Sequence, residues 1–555
     1  MPLRVGLRKA LRNSASQTDC RSPELSKGGL RVAFFVGIPA LLASLRAIDP
    51  PSPMSDHSAM GLITCQGMRD LEEAAFRRGV SAEALMDKAG RRLGEALVRL
   101  IPGPGTAVAY LGRGNNAGDA LIALQVLRAA GWKIAARCPY SPTELGVLPR
   151  RKIRQLGDIA LEVDPFESMD STRPLLLIDG LLGIGARGPL RDPLAALAAE
   201  MKELRESRGA TIASVDIPSG LNGDTGEPSP GAVRADLTAT IAAPKVGLLA
   251  DSATRYVGRL ELIPLEELSP SSDGGDRLTT HHHLRALLPP RAFDSHKGNA
   301  GRLGIVAGSR GLLGAAILAA TGALRGGAGL VTLYVLEPLY PCLLAAGPPP
   351  EAMVKPIVSY REVLSDSHDA LAVGPGLGHL RGDDRKALLE ILAQADCPLV
   401  VDADALNVIA EEGPANHLHK GMVITPHPGE LLRLFPEASS LDRAETARQF
   451  VNRQPCTLLY KGARTIITAP GEALSYNCTG TPAMATGGQG DVLTGLLGAL
   501  LAGGLPSLGA AQAAAWLAGR ASELAQAGGE SEQSLLASDT ARELGRAFLS
   551  LREAP

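Results

Sequence analysis

Short apolar runs recur along this chain, each ending in glycines or polar residues, and that pattern restricts the fold more than any other feature. Residues 107–111 run into Gly112-Arg113-Gly114-Asn115-Asn116-Ala117-Gly118-Asp119, 175–178 into Asp179, and 212–215 into Asp216. Further on, 303–307 meets a glycine-rich stretch at 308–314, 370–373 meets Gly374-Pro375-Gly376-Leu377-Gly378, and 399–401 meets Asp402-Ala403-Asp404. Two more runs, 423–425 and 458–460, lead into Pro426-His427-Pro428-Gly429-Glu430 and Lys461-Gly462-Ala463-Arg464-Thr465. Unbroken apolar runs of this length suit strands buried on both faces, as in a parallel sheet covered by helices. Helical spacing fills the intervals: Leu85, Ala89, Leu93, Leu97 and Leu100 share one face, and 121–130 and 315–324 read as helices. The expectation is an α/β protein whose polar clusters line the carboxyl edge of its strands, where open parallel sheets bind ligands.

At 555 residues the chain is too long for a single core. Periodicity lapses between 264 and 290, around Pro264, Pro270, Ser271, Ser272, Gly274 and Gly275, which reads as a linker. The expected division is an N-terminal extension at 1–57, a first domain at 58–268, a linker at 269–290 and a second domain at 291–550. A net charge of −2 gives no general attraction to nucleic acid or anionic membrane, and 3% aromatic residues leave little for stacking on single strands. Seven dispersed cysteines without a C-x-x-C pair point to free thiols in a reducing compartment, so a cytoplasmic location is expected. His281-His282-His283 has no acidic or cysteine neighbour to complete a metal site. The apolar stretch 32–45, which follows a basic stretch at 1–31 and is broken by Pro39, is too short for a membrane helix. A targeting segment, an ordered extension, or sequence upstream of a start at Met54 or Met60 all fit this tail.

The run Thr486-Gly487-Gly488-Gln489-Gly490-Asp491-Val492-Leu493-Thr494-Gly495 precedes an alanine- and leucine-rich helix candidate at 496–501. Backbone without Cβ atoms can turn successive N–H groups toward an anion, and a helix N-terminus adds partial positive charge. A carboxylate placed there suits a base that takes a proton from a hydroxyl beside a transferring phosphoryl group. The plainer alternative is a glycine-rich turn closed by a capping aspartate. Lys461, at a strand end earlier in the chain, adds a cation for phosphate oxygens.

Together these motifs resemble a family in which an NAD(P)HX epimerase is fused to an ADP-dependent NAD(P)HX dehydratase, enzymes that repair hydrated nicotinamide nucleotides. The resemblance covers roughly residues 60–548 and rests most on Asn115-Asn116-Ala117-Gly118-Asp119, Asp216-Ile217-Pro218-Ser219-Gly220, Pro426-His427-Pro428-Gly429-Glu430 and the 487–491 run. It implies two three-layer sandwiches, the first Rossmann-like and the second ribokinase-like. In the first, it implies a potassium ion held by Asn116, Asp179 and Ser219. Asn115, Asn116, Ala117, Gly118 and Asp119, the loop Gly183-Ile184-Gly185-Ala186-Arg187-Gly188-Pro189, and Asp216 would hold the nucleotide. Asp216 is the candidate for acid–base help at C6 of the hydrated ring. In the second, Lys461, Gly462, Ala463, Arg464, Thr465 and Gly490 would contact ADP, with Mg2+ accompanying it. Asp491 would stand beside the 6-hydroxyl, while Ala315, Gly376, Gly378 and His427 would line the dinucleotide pocket. Small-molecule substrates, no nucleic acid or membrane partner, and a homo-oligomer are the matching expectations.

The sequence departs from that family in two places. Ala117 and Ala120 stand where glycines are common, and a methyl group is cheap there only if φ is negative. Leu312 stands where an aromatic ring is frequent. Two rival readings remain: a ribokinase-superfamily kinase of a small alcohol, and a first half that only binds a nucleotide or protein without catalysing anything.

Overall fold

The computed structural model describes residues 60–157, 173–186, 188–270 and 275–552. The N-terminal tail, Arg187, and Ser271, Ser272 and Gly274 of the expected linker lie outside the described residues. Two sheets organise the rest, one of six strands and one of eleven.

The six-stranded sheet is parallel throughout. Its spatial order is Lys133–Arg137, Thr106–Leu111, Leu175–Gly180, Thr211–Val215, Leu237–Ile241 and Arg259–Ile263. The chain winds one way from Thr106–Leu111 to its first neighbour, then the other way through the remaining strands. That reversal opens a crevice between Thr106–Leu111 and Leu175–Gly180, the usual ligand position in such a sheet. Every residue of Leu175–Gly180 is buried, Asp179 included, as expected for a strand covered on both faces.

The eleven-stranded sheet repeats the logic. Arg302–Val306 lies between Leu330–Leu336 and Ala370–Val373; beyond the latter come Leu399–Val401, Met422–Ile424 and Thr457–Tyr460, all parallel. Thr465–Thr468 and Ser475–Asn477 continue antiparallel. The reversal here falls between Arg302–Val306 and Ala370–Val373, whose following loops are tied by Gly308 N–H donating to Pro375 O at 2.9 Å.

The structure corrects three expectations. The helix expected at 121–130 starts earlier, at Asn115, and takes in the whole 115–119 motif. Helix Gln489–Ala502 likewise begins inside the glycine run, so Asp491 lies in its first turn rather than in a turn before it. Glycine-rich stretches read as irregular, yet here tertiary packing sets the helix start; Gly488 takes φ 90° to turn the chain into the helix. Third, the stretch expected as a linker carries structure. Arg277–Leu278 pairs with Ser475–Asn477 and with Met60–Gly61, adding two edge strands to the second sheet. The histidine run opens helix His281–Leu287, capped by Thr280, and His283 Nε2 lies 3.1 Å from Gln512 Oε1.

The two sheets share packing. One apolar cluster joins Ile217, Leu248, Leu249 and Val257 of the first half to Tyr460, Leu474 and Tyr476 of the second. Among the described residues no helix is long and apolar enough to cross a membrane.

Candidate functional site

In the first half, Asn116, Asp179 and Ser219 come together at the crevice. Asp179 is fully buried. Its Oδ1 accepts the Ser219 hydroxyl at 2.6 Å and its Oδ2 accepts Ser214 Oγ–H at 2.8 Å and Ser219 N–H at 2.9 Å. The Asn116 amide donates to Leu182 O at 2.9 Å and Val215 O at 2.8 Å, leaving its carbonyl oxygen beside Gly183. Burial raises the Asp179 pKa against the pull of its Ser219, Ser214 and Leu181 donors. The oxygen atoms gathered at this crevice are those of the Asp179 carboxyl, the Ser219 hydroxyl and the Asn116 carbonyl. Among the described residues no three His, Cys, Asp or Glu side chains gather as a transition-metal site would require.

Asp216 stands at the next strand end with φ 67°, a left-handed conformation that a non-glycine residue holds only under constraint. That constraint is visible: Lys245 Nζ donates to its Oδ1, and Ile241 N–H donates to the same oxygen at 2.9 Å. Lys245 is itself buried and also donates to Ile241 O at 2.9 Å. Asp119 lies nearby, buried, on the helix that starts at Asn115. Burial first, then Asp216, Glu72 and Asp87, push its carboxyl well above the usual range, toward the proton-carrying form. Glu72, on helix Cys65–Arg77, is raised as well by burial and by Asp216. The result is one carboxylate in an ion pair beside carboxyls that favour being neutral, a division of labour suited to acid–base chemistry.

Ala117 and Ala120 sit inside the helix, away from any left-handed conformation, so their methyl groups cost no backbone strain. In the loop at 183–186, Ala186 N–H closes a turn on Gly183 O at 3.0 Å, and Ile184 O accepts Arg69 Nη2–H at 2.7 Å. Gly185, Gly188 and Pro189 are exposed at its outer edge.

In the second half, Lys461 Nζ donates to Asp402 Oδ1 at 2.8 Å and lies 3.8 Å from Glu430 Oε2. Asp402 Oδ2 accepts the Thr494 hydroxyl at 2.7 Å, one helical turn beyond Asp491. A Cβ on Gly490 would stand 3.6 Å from Lys461 Nζ and 3.7 Å from Asp402 Oδ2, so the helix N-terminus is set against this pair. Burial, and then the Asp402 carboxylate, push the Asp491 carboxyl up to about 6, against the pull of Lys461. Burial works against the Lys461 ammonium, but Asp402 and Glu430 outweigh it and raise its pKa. A carboxyl titrating near 6, at the positive end of a helix and beside a fixed cation, can exchange a proton near neutral pH while phosphate oxygens are held close. Both polar atoms of the Gln489 side chain, at the head of this helix, are buried with no partner among the described residues.

The loops at the sheet's reversal meet as expected. Gly376, at φ 61°, packs so tightly on Leu312 and Ala315 that a Cβ would lie 2.9 Å from the Ala315 methyl. Gly378 N–H donates to Asp404 Oδ2 at 2.7 Å. Leu312 is half-exposed at the head of helix Leu313–Arg325. His427 caps helix Pro428–Leu434, its Nδ1 accepting Gly429 N–H at 3.0 Å, its Nε2 3.5 Å from Glu430 Oε1 and about half of its side chain exposed.

One candidate is turned elsewhere. Arg464 is buried and its guanidinium donates to Gly258 O of the first half. Gly462 and Ala463 are exposed at the loop tip, and the Thr465 hydroxyl donates to Gly462 O at 3.0 Å. The side chains that complete the two sites without having been singled out are Ser214, Lys245 and Glu72 in the first half, and Asp402, Glu430 and Thr494 in the second. Asp402 and Glu430 each end a strand-plus-polar cluster, which was the available signal. Ala403, at φ 51°, adds backbone constraint beside Asp402.

Residues 82–247 match the family described as YjeF-related protein N-terminus, and residues 303–544 match the family described as NAD(P)H-hydrate dehydratase. The bifunctional NAD(P)H-hydrate repair enzyme Nnr of Gloeobacter violaceus is 36% identical over 475 residues, covering 81% of this chain and 90% of its own length. The protein of the same name from Coxiella burnetii is 33% identical over 481 residues, 85% of this chain and 96% of its own. That from Escherichia coli is 35% identical over 448 residues, 78% of this chain and 83% of its own. A crystal structure of the ADP/ATP-dependent NAD(P)H-hydrate dehydratase of Bacillus subtilis, co-crystallized with ATP/Mg2+, superposes with a TM-score of 0.44 at 31% identity, covering 51% of this chain and 100% of that one. Two sheets with polar clusters at their strand ends, two matching families in the same order, and relatives aligned across both halves lead to one assignment: this chain belongs to the family of bifunctional NAD(P)H-hydrate repair enzymes.

Proposed function

We propose that the protein interconverts the R and S forms of hydrated NADH and NADPH in its first half, and dehydrates the S form in its second half at the expense of ADP. The observation that carries the reading is the placement of Asp491, a carboxyl titrating near 6, in the first turn of a helix set against the Lys461–Asp402 pair.

Hydroxide is a poor leaving group and phosphate a good one. In the proposed dehydration, Asp491 takes the proton of the 6-hydroxyl as its oxygen attacks the β-phosphorus of ADP. The P–O bond to AMP breaks; in the resulting ester the C6–O bond then breaks to release inorganic phosphate, while C5 gives up a proton to water and the C5–C6 double bond forms. Lys461, Gly462, Ala463, Thr465 and the Gly490 amide hold the phosphates; Ala315, Gly376, Gly378 and His427 line the dinucleotide site. Arg464 serves the loop through its backbone, since its guanidinium faces Gly258. Asp402 is already paired with Lys461 and Thr494, and Glu430 accepts His427 N–H and lies 3.8 Å from Lys461 Nζ, so a magnesium ion would come with the nucleotide, held mainly by its phosphates. The ion would neutralise phosphate charge.

In the first half, Asn116, Asp179 and Ser219 fit a potassium ion, which would supply positive charge for the nucleotide's phosphates. Asn115, Ala117, Gly118, Asp119 and the 183–189 loop hold the substrate, Asp216 moves a proton at C6, and Lys245 orients Asp216 through its hydrogen bond. Domains at 58–268 and 291–550, with the 277–287 part of the stretch between them packed on the second sheet, a cytoplasmic location and a homo-oligomer belong to the same proposal. Free thiols at Cys65, Cys138, Cys342, Cys397, Cys456 and Cys478 support a reducing compartment.

The test is an assay with purified R hydrate and ADP. Reduced-nicotinamide absorbance recovers, with AMP and phosphate formed in step. A stable phosphorylated alcohol made from ATP, with no recovery, would favour the kinase reading instead.

A further inference from the structure

Arg443 opens helix Arg443–Arg453, far in sequence from both glycine-rich runs. Its guanidinium fills the inside of the 460–465 loop. One nitrogen donates to Tyr460 O at 3.1 Å and Lys461 O at 3.2 Å; the other donates to Arg464 O at 3.0 Å. The group also lies over the Tyr460 ring, 4.6 Å from its centroid. Gly462 is glycine for a reason visible here: a Cβ would stand 2.5 Å from the Arg443 Nη2. Three carbonyls that bracket the loop are thus drawn to one planar cation, a geometry that lysine cannot reproduce.

The far side of Arg443 faces the first half. Asp251 Oδ1 accepts from the guanidinium at 3.4 Å, and its Oδ2 accepts Arg443 N–H at the same distance. Neighbouring contacts cross the same boundary. Arg464 donates to Gly258 O, and Arg259 pairs with buried Glu523 at 2.9 Å, whose other oxygen accepts Gly480 N–H at 3.0 Å. The 251–259 segment therefore backs both the Lys461 loop and the approach to the Asp491 helix.

We propose that Arg443 is a positioning residue for adenine-nucleotide binding, holding the 460–465 loop in shape while Asp251 of the first half holds Arg443. This rests on the reading that the loop contacts ADP. Arg443 itself touches no reacting atom, so its loss shows in nucleotide affinity rather than in the chemical step.

The experiment uses the full chain with Arg443→Gln, Arg443→Lys, Asp251→Asn, Gly462→Ala and Lys461→Met, measuring KM for ADP and kcat of dehydration, with epimerisation as a control for folding. Arg443→Gln raises the ADP KM roughly ten- to a hundredfold, the scale of a small misplacement, while kcat changes by less than about threefold. Arg443→Lys recovers part of the loss, and Asp251→Asn raises KM a few-fold. Gly462→Ala, which pushes the guanidinium out of the loop, raises KM but adds little on top of Arg443→Gln. An unchanged ADP KM in Arg443→Gln, with a raised one in Lys461→Met, overturns the positioning role alone. An unchanged KM in Lys461→Met overturns the loop assignment and this proposal with it. Equal loss of kcat and epimerisation in Arg443→Gln marks a general structural role and also overturns the proposal. Should Arg443→Gln fail to fold, unchanged KM values in both Asp251→Asn and Gly462→Ala overturn it.

Discussion

Lys461 Nζ lies 2.8 Å from Asp402 Oδ1, joining the end of one strand to the end of another two places away in the sheet. With Thr494 on the second oxygen of Asp402, the pair fixes the N-terminus of the Asp491 helix relative to the strand edge. The same two contacts place the base, and the Asp402 carboxylate adds to the burial that raises the Asp491 pKa.

Removing one member of that pair leaves the other exposed to the cost of burial. Lys461→Met is expected to lower unfolding free energy by about 3 kcal/mol, the lower end for a broken buried pair because this lysine reaches solvent. Lys461→Met with Asp402→Asn should regain part of the loss, since no unpaired charge remains. Urea melts of both single variants and the double variant measure the coupling; strictly additive losses would contradict it.

The Asp491 carboxyl, raised from 3.8 to about 6, ties rate and stability to pH in opposite directions. The base works only when ionised, so kcat/KM for dehydration falls about tenfold per pH unit below 6. Between 3.8 and 6 the folded protein holds a proton that the unfolded chain has released, so this residue favours folding more as pH drops through that window. Asp491→Asn should therefore melt a few degrees higher than the parent at pH 7.5, with the gap closing toward pH 4. A gap that widens on acidification would reverse the sign and the assignment.

For the first half, Ser214→Ala removes the hydroxyl that orients Asp179 at 2.8 Å. The potassium concentration needed for half-maximal epimerisation should rise roughly tenfold, the usual cost of losing a partner behind a metal ligand. Dehydration of the pure S form should not change. Titration with potassium chloride at constant ionic strength reads this directly, and an unaltered potassium curve would remove Asp179 from the ion site.

Much of this was legible in the sequence, and the rest was hidden for identifiable reasons. Apolar runs of three to five residues mark parallel strands covered on both faces, so the sheet edges and their polar clusters could be read. Asn116, Asp179 and Ser219 lie at three such edges and do meet. The helix starts at Asn115 and Gln489 were obscured because glycine and asparagine are poor helix formers, and packing overrode that preference. The strand Met60–Gly61 is two residues long and leaves no period to detect. Pairings across strands, such as Lys245 with Asp216 and Lys461 with Asp402, depend on the order of strands in space, which spacing along the chain does not encode. The resemblance places Arg464 in contact with ADP; the fold turns its guanidinium toward Gly258 instead.

The most direct test of the central claim is single-turnover dehydration of pure S hydrate with ADP by Asp491→Asn, alongside ADP affinity by calorimetry. Recovery of reduced nicotinamide should fall by about 10²–10⁴-fold, the scale of a lost general base, with ADP affinity and epimerisation retained. Recovery at the parental rate would show that another group takes the hydroxyl proton.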